Sequence, residues 1–359
     1  MPQPILYVAI TNHGFGHATR TASVVAEIKR RCPEIVVILA TTAPRWLLET
    51  YIPDDFILRP RAYDVGVVQS DSITMDLPAT LAQLQVIRDQ SRHLIASEVS
   101  FIQQNRVGLV LADIPPLAAA IAHAAHIPCW MMSNFGWDYI YRAWGDEFTD
   151  SADWIAECFS KCDRLLRLPF HEPMSAFPVV EDIGLTGGSP RFSAEALSQT
   201  LRLTAPRETT VLLTFGGLGL NQVPYHNVQR FPDWQFITLD RHAPDLPNLL
   251  KLDGRDYRPV DLMPLCSRVV SKPGFSTFSE ACRLGLPIIS ITRREFAESA
   301  VLLEGIRDYA HHQVMEPDAF FFSDWDFLRQ PLLPPRKGTT VPADGNEAIA
   351  QRVIEYLMG

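Results

Sequence analysis

The chain has 359 residues, a formal net charge of −9 and 47% hydrophobic residues. This length exceeds what one ordinary hydrophobic core uses and fits two domains, and the acidic balance excludes a surface built to neutralise nucleic-acid phosphates. No apolar run reaches the roughly 18 residues of a transmembrane helix, and the N-terminal stretch lacks the basic region of a signal peptide. We therefore expect a compact cytoplasmic protein without a nucleic-acid partner, while peripheral membrane contact and the oligomeric state stay open.

Apolar runs typical of buried strands alternate with helical patterns through the first half of the chain. The strand patterns cover residues 5–10, 35–42, 108–113 and 127–134. The helical patterns cover residues 18–31, 45–52, 77–105 and 116–126. Strands that alternate with helices in this way predict parallel βαβ units.

The second half repeats this alternation. Strand patterns cover residues 210–217, 234–240, 268–274 and 286–292, and helical patterns cover 275–285 and 348–359. A stretch rich in Pro, Gly and Ser, residues 168–193, separates the two halves. We predict an α/β fold of two doubly wound domains that face each other across a cleft. The domains span residues 1–167 and 168–340, and the helical segment 341–359 follows, with a return to the N-terminal domain as one option.

The sequence HGFGH follows the first predicted strand. Gly14 and Gly16 allow backbone amides to approach a bulky or anionic group, and the helix that follows points its positive end at the same place. The pattern is neither GxGxxG nor a P-loop, so dinucleotide binding is disfavoured. His17 stands at the helix entrance, where its imidazole can face the cleft. A capping or packing role is the alternative.

Asp113 ends a predicted strand and therefore lies at the same sheet edge as His17. A carboxylate there can accept a hydrogen bond from one ring nitrogen of His17 and leave the other nitrogen as a general base. Aspartate is also a favoured N-cap and proline a favoured first helical residue. A cap for the helix 116–126 is therefore an equally weighted and compatible alternative.

Two glycine turns of the second half offer sites for phosphate. Gly216 and Gly217 follow a predicted strand, where their backbone amides can meet an anion. Gly274, Ser276 and Thr277 stand at a predicted helix start, and the amides and hydroxyls there suit a diphosphate.

Three acids accompany these turns. Glu280 lies one turn into the helix, where a carboxylate suits the two hydroxyls of a ribose, and a capping box is its alternative role. Glu295 and Glu298 follow the next predicted strand. They suit the hydroxyls of a sugar, or else they are solvated acids in the first turn of a helix.

Five segments of the chain resemble glycosyltransferases of the GT-B class. They are HGFGHATR, DSITMDLPATL, SNFGWDYIY, LLRLPFHEPMSAF and FSTFSEACRLGLPIISITRREFAESAVLLE. The last segment resembles the donor-nucleotide segment of the MurG-type and UDP-glycosyltransferase branches. Together the five are similar to the N-terminal glycosyltransferase-like region of plant L-arabinokinases. Those proteins continue into a kinase domain with no counterpart in this sequence, so arabinokinase activity is not expected here.

The resemblance implies a GT-B fold of two Rossmann-like domains and an inverting, metal-independent hexosyl- or pentosyltransferase that uses a UDP-sugar. It gives His17 the role of acceptor-activating base, Asp113 that of its partner, Glu280 contact with the ribose and Glu295 contact with the donor sugar. No cofactor and no metal site are expected. The alternatives are a nucleotide-sugar-binding protein without transferase activity, a sugar-nucleotide epimerase, and a scaffold without a ligand.

The sequence does not identify the acceptor. His13, Asn134 and Trp137 are the candidates for the acceptor side, since aromatic and polar side chains near the cleft suit a sugar. For Trp137 a position in the core is the favoured alternative.

Overall fold

The structure is a computed structural model that describes residues 3–359. Seven parallel strands form its first sheet: β1 (Ile5–Ile10), β2 (Val36–Ala40), β3 (Ile57–Arg59), β4 (Leu109–Asp113), β5 (Cys129–Ser133), β6 (Arg164–Arg167) and β7 (Val180–Asp182). Their order in space is β3-β2-β1-β4-β5-β6-β7. The central strands β1, β4 and β5 are almost wholly buried, because helices cover both faces of a parallel sheet.

The helices of this first part are α1 (Gly16–Arg31), α2 (Arg45–Glu49), α3 (Leu77–Gln104), α4 (Pro116–Ala125), α5 (Trp137–Arg142) and α6 (Thr149–Phe159). The helix α3 starts at Asp76, whose side chain accepts a hydrogen bond from the backbone nitrogen of Ala79, as a favoured N-cap does. Although α3 has 28 residues, neither it nor any other helix within residues 3–359 is apolar and long enough to cross a membrane.

Six parallel strands form the second sheet: β8 (Thr210–Leu213), β9 (Gln235–Thr238), β10 (Leu249–Lys251), β11 (Arg268–Ser271), β12 (Ile288–Ile291) and β13 (His312–Met315). Their order is β10-β9-β8-β11-β12-β13. The accompanying helices are α7 (Ala194–Thr200), α8 (Pro259–Leu262), α9 (Phe275–Arg283), α10 (Glu298–Tyr309) and α11 (Pro317–Phe321), and the chain closes with α12 (Gly345–Met358). The predicted architecture of two doubly wound α/β domains is confirmed.

The first sheet extends past the predicted domain boundary. The strand β7 pairs with β6, so the sheet continues beyond residue 167 to Asp182. The helix α12 packs against α1 of the first domain, and Arg352 of α12 forms an ion pair with Glu181 of β7. The end of the chain therefore returns to the first domain and helps to fix its relation to the second.

Hydrogen bonds join the two domains along the cleft. The Ser276 hydroxyl at the start of α9 donates to the carbonyl oxygen of Gly16 at 2.8 Å. The Ser72 hydroxyl, from the segment that precedes α3, donates to the carbonyl oxygen of Phe215 after β8 at 2.7 Å. The start of α9 is therefore held against the start of α1, and the turn after β8 against the segment that precedes α3.

Candidate active site

A cavity of about 360 Å³ lies between the two domains. Its walls are the turns that follow β1, β8, β11 and β12, together with α2 and the first turn of α9. Doubly wound sheets bind ligands at the carboxyl ends of their strands, and small-molecule sites enclose roughly 300–1,000 Å³. The cavity therefore has the position and size of a ligand site.

The structure brings His17 and Asp113 together at this cavity. His17 lies in the first turn of α1, and Asp113 is the last residue of β4, where it pairs with Ile10 of β1. The Nδ1 atom of His17 lies 2.8 Å from Oδ1 of Asp113. When Nδ1 donates to the carboxylate, Nε2 is left free to accept a proton, which is the arrangement that a general base needs.

Arg20 holds Asp113 from the other side. Its Nε donates to Oδ2 at 2.7 Å and its Nη2 to Oδ1 at 2.5 Å. Burial raises the pKa of Asp113, but the charges of Arg20 and His17 outweigh it and hold that pKa well below its usual range. Asp113 is completely buried, so its ionised form depends on these partners.

Asp113 does not cap the following helix. The helix α4 begins after Pro115, and no side chain forms an N-cap hydrogen bond there. The capping interpretation of Asp113 is therefore wrong, because Arg20, His17 and the hydroxyl of Thr21 occupy its oxygens instead.

Of the three acceptor-side candidates, only His13 lines the cavity. Asn134 is fully buried, accepts from Arg20 Nη1 at 2.9 Å and donates to Glu298 at 2.8 Å. Trp137 is also fully buried, and its indole nitrogen donates to the Thr11 hydroxyl at 3.0 Å. The structure therefore places Asn134 in a polar contact between domains and Trp137 in the core, and neither side chain lines the site.

His13 lies between aromatic and cationic groups. Its ring stacks on Phe296 with 5.7 Å between centroids. Burial is the main cause that lowers the pKa of His13 well below its usual value, and the charges of Arg293, His17 and Lys272 lower it further. Burial and these neighbouring charges therefore favour the neutral form of the His13 imidazole.

The predicted phosphate turns also line the cavity. Gly216, with a φ of +82°, and Gly217 follow β8, and a left-handed φ favours glycine. Gly274 is the N-cap of α9, which has no side-chain capping bond, so the first amides of the helix keep their free N–H groups. Ser276 and Thr277 lie in the same wall. Gly14 and Gly16 close the opposite side.

Glu280, one turn into α9, carries a buried carboxyl group that lines the cavity. Its Oε1 accepts from the backbone nitrogen of Gly188 at 2.9 Å, and it makes no capping contact with Ser276 or Thr277, so the capping-box interpretation is wrong. Burial raises the pKa of Glu280 to about 7, while the hydrogen bond from Gly188 opposes that rise. Glu280 is thus poised to ionise near neutral pH when a donor group approaches.

The structure separates the two acids that follow β12. Glu295 is exposed and outside the cavity, and its backbone carbonyl accepts from the indole nitrogen of Trp144 at 2.7 Å. Glu298 begins α10, is buried and lines the cavity. Of the two acids that the sequence offers for a sugar, Glu298, three residues after Glu295, is therefore the one in the cavity wall.

Three further cations belong to the site and were not predicted from the sequence: Arg20, Lys272 and Arg293. Arg20 lies one turn after His17 on the same face of α1, and this spacing of three residues was the available signal. Lys272 directly follows β11, Arg293 is the second residue after β12, and both line the cavity. In the described part of the chain, no group of three or more His, Cys, Asp or Glu side chains is placed to hold a metal ion.

Two parallel sheets on either side of a ligand-sized cavity define the GT-B architecture, and the comparisons with solved structures agree. CalG4, the calicheamicin glycosyltransferase, matches with a TM-score of 0.63 at 14% identity, over 100% of this chain and 99% of its own. Phytolacca americana UGT2, solved with UDP-2-fluoroglucose and pterostilbene, matches with a TM-score of 0.63 at 12% identity, over 99% of this chain and 94% of its own. The chain therefore has the GT-B fold, as its sequence predicted.

Sequence comparison gives one further relative. L-arabinokinase from Arabidopsis thaliana is 29% identical over 311 residues, which are 84% of this chain and 29% of that protein. The chain thus spans less than a third of the length of this relative. No protein-family model matches the chain.

The first prediction concerns Arg20. Replacing Arg20 by Met leaves the Asp113 charge buried without its main partner, so we expect the free energy of unfolding in urea to fall by about 3–5 kcal/mol. Arg30→Met on the same helix is the control. The side chain of Arg30 is 67% exposed and pairs with Glu27, and its loss should cost less than about 1 kcal/mol. Equal effects of the two substitutions would contradict the central role of Arg20.

Proposed function

We propose that the protein is a glycosyltransferase that moves a sugar from a UDP-sugar to the hydroxyl group of an acceptor. The observation that carries this proposal is the cavity itself, where His17, with Asp113 buried behind it, lines the same space as the glycine turns and the start of α9. The GT-B fold of CalG4 and of Phytolacca americana UGT2 supports the same class of reaction.

The donor would lie against the second domain. The amides at the start of α9 and those of Gly216 and Gly217 would bind the diphosphate, since helix N-termini and glycine turns favour anions. The ammonium group of Lys272 would add a positive charge beside them. The buried carboxylate of Glu280 would accept hydrogen bonds from the ribose hydroxyls.

The chemistry would follow from the geometry around His17. The Nε2 atom would take the proton of the acceptor hydroxyl as its oxygen forms a bond to the anomeric carbon, and the bond from that carbon to the diphosphate oxygen would break. Asp113 would stabilise the imidazolium. A single displacement of this kind inverts the anomeric carbon. Amides and Lys272 would stabilise the leaving UDP without a metal ion or other cofactor.

One observation favours a second candidate function, that of a protein that binds nucleotide sugars and does not catalyse sugar transfer. Arg20 already neutralises Asp113, and its Nη2 lies 3.0 Å from His17 Nδ1. A hydrogen bond from Arg20 to Nδ1 would place the imidazole proton on Nε2, where the nitrogen cannot accept another. The two candidates share the donor site and differ only in whether UDP is released.

The second prediction tests the donor site through the melting temperature. We expect UDP or one UDP-sugar to raise the melting temperature of the wild-type protein, because a ligand that binds only the folded state stabilises it. Glu280→Ala should lose most of this shift. Glu295→Ala, which removes an exposed acid outside the cavity, should retain it. Absence of any shift at millimolar UDP, UDP-glucose and UDP-glucuronic acid would overturn the proposed function.

The third prediction is a bell-shaped pH dependence of UDP-glucose binding. Ribose hydroxyls favour the ionised form of Glu280, whose pKa burial raises to about 7, so affinity should increase as pH rises through that value. The diphosphate favours the protonated form of Lys272, whose pKa burial and Arg293 lower to about 8, so affinity should decrease above that value.

Isothermal titration calorimetry at a series of pH values measures this dependence. Glu280→Gln should remove the acidic limb and Lys272→Gln the alkaline limb. A profile that keeps both limbs in both variants would assign the titration to other groups and contradict the proposed contacts.

A further inference from the structure

Among the cations of the cavity that are not exposed, half-buried Lys272 and buried Arg293 have no acidic partner. Within residues 3–359, neither Lys272 nor Arg293 has a carboxylate oxygen within the 4.0 Å of an ion pair. Lys272 donates only to the carbonyl oxygen of Pro273, at 3.3 Å. Arg293 donates from Nη2 to the side-chain oxygen of Gln69 at 3.2 Å, and its Nε has no acceptor. Burying a guanidinium costs free energy when most of its N–H donors have no acceptor. An anionic ligand would supply acceptors and negative charge to both cations.

The charge of the cavity is opposite to that of the whole chain. Six arginine and lysine side chains line it against three carboxyl groups, although the formal net charge of the chain is −9. Two of the six, Arg20 and Arg258, are neutralised by Asp113 and Asp261. The other four cations face the three carboxyl groups of the lining, so a net positive charge remains, which favours an anionic ligand.

Lys272 belongs to the diphosphate end of the cavity. A Cβ atom added to Gly216 would lie 3.5 Å from Cε of Lys272, and one added to Gly274 would lie 3.5 Å from its Nζ. The ammonium group is thus set between the two glycine turns that would bind the diphosphate. The charge of Lys272 would therefore bind the diphosphate, and Arg293 would be available to bind another anionic group.

Arg293 belongs to the part of the cavity between the diphosphate turns and His17. It follows β12, on the opposite side of β11 from the Gly216 turn, and its guanidinium lies 4.2 Å from the ring centre of Phe296. His13 stacks on the same Phe296, and its ring centre is 6.3 Å from that of His17. A sugar whose anomeric carbon faces His17 would therefore lie against Arg293.

We propose that the donor sugar carries a carboxylate, that is, that the donor is a nucleoside diphosphate uronic acid, and that Arg293 binds this carboxylate. This inference rests on the proposed function. The planar guanidinium matches a carboxylate through two parallel hydrogen bonds, whereas a neutral sugar would leave Arg293 with no carboxylate in hydrogen-bond contact, since Glu298, Asp71 and Glu295 act on it only through their charges. Glu298 does not pair with Arg293. Its Oε1 accepts a hydrogen bond from Asn134, and its other oxygen would accept hydrogen bonds from the hydroxyls of the sugar.

Calorimetric titration of the full chain with UDP, UDP-glucose and UDP-glucuronic acid tests this inference. The wild-type protein should bind UDP-glucuronic acid about tenfold or more tightly than UDP-glucose, which is the usual effect of a charge-assisted hydrogen-bonded pair. Arg293→Gln should remove the preference and leave UDP affinity within about threefold, which also shows that the variant is folded. Arg293→Lys should restore part of the preference.

Arg294→Gln is the matched control. Arg294 is the next residue, but it is exposed and pairs with Glu316 on the surface, so its loss should leave all three affinities unchanged. Equal or tighter binding of UDP-glucose by the wild-type protein would overturn the inference and leave the proposed function standing. So would an Arg293→Gln variant that loses UDP affinity to the same extent as uronate affinity. Absence of binding by all three compounds would overturn both.

Discussion

The buried pair of Arg20 and Asp113 is the interaction on which the site depends. A carboxylate with no exposure to solvent stays ionised only if cations compensate for its lost hydration, and Arg20 supplies that charge through two hydrogen bonds. The same guanidinium contacts Asn134, which in turn donates to Glu298 of the second domain. Arg20 thereby positions Asp113, the partner of His17. Through Asn134 it also connects Asp113 to Glu298 in the opposite wall of the cavity.

This connection explains why the two domains meet closely. Arg20 lies 5.0 Å from the ring centre of Phe275, the first residue of α9, and the hydroxyl of Ser276 reaches the backbone of Gly16. The helix start that would bind a diphosphate therefore contacts the helix that carries His17. Donor binding and proton transfer would therefore take place between walls that are already in contact.

Much of the fold and part of the site could be predicted from the sequence because parallel strands bring their carboxyl ends to one edge. That rule predicts that His17, after β1, and Asp113, at the end of β4, lie together, and the structure places them 2.8 Å apart. The rule gives no side-chain direction beyond the strand end. It therefore could not distinguish Glu295 from Glu298, whose roles depend on where α10 begins.

Other features depend on contacts between distant parts of the chain. Trp137 suits either a ligand or the core by residue type, and the hydrogen bond from its indole to Thr11 places it in the core. By residue type alone, Lys272 and Arg293 would be expected on the surface, where most lysines and arginines lie. Their importance arises from their positions in the cavity wall with no acid in ion-pair contact, which the three-dimensional structure shows and the residue types do not.

The release of UDP from UDP-sugars, followed by ³¹P NMR with water as acceptor, tests most directly whether this cavity performs glycosyl transfer. The account predicts slow release by the wild-type protein. It predicts a reduction of about 100-fold or more in His17→Ala, the usual contribution of a general base, with donor affinity retained. Release at equal rates by the two proteins, or none from the wild-type protein above background, would contradict the role of His17 and favour a protein that only binds nucleotide sugars.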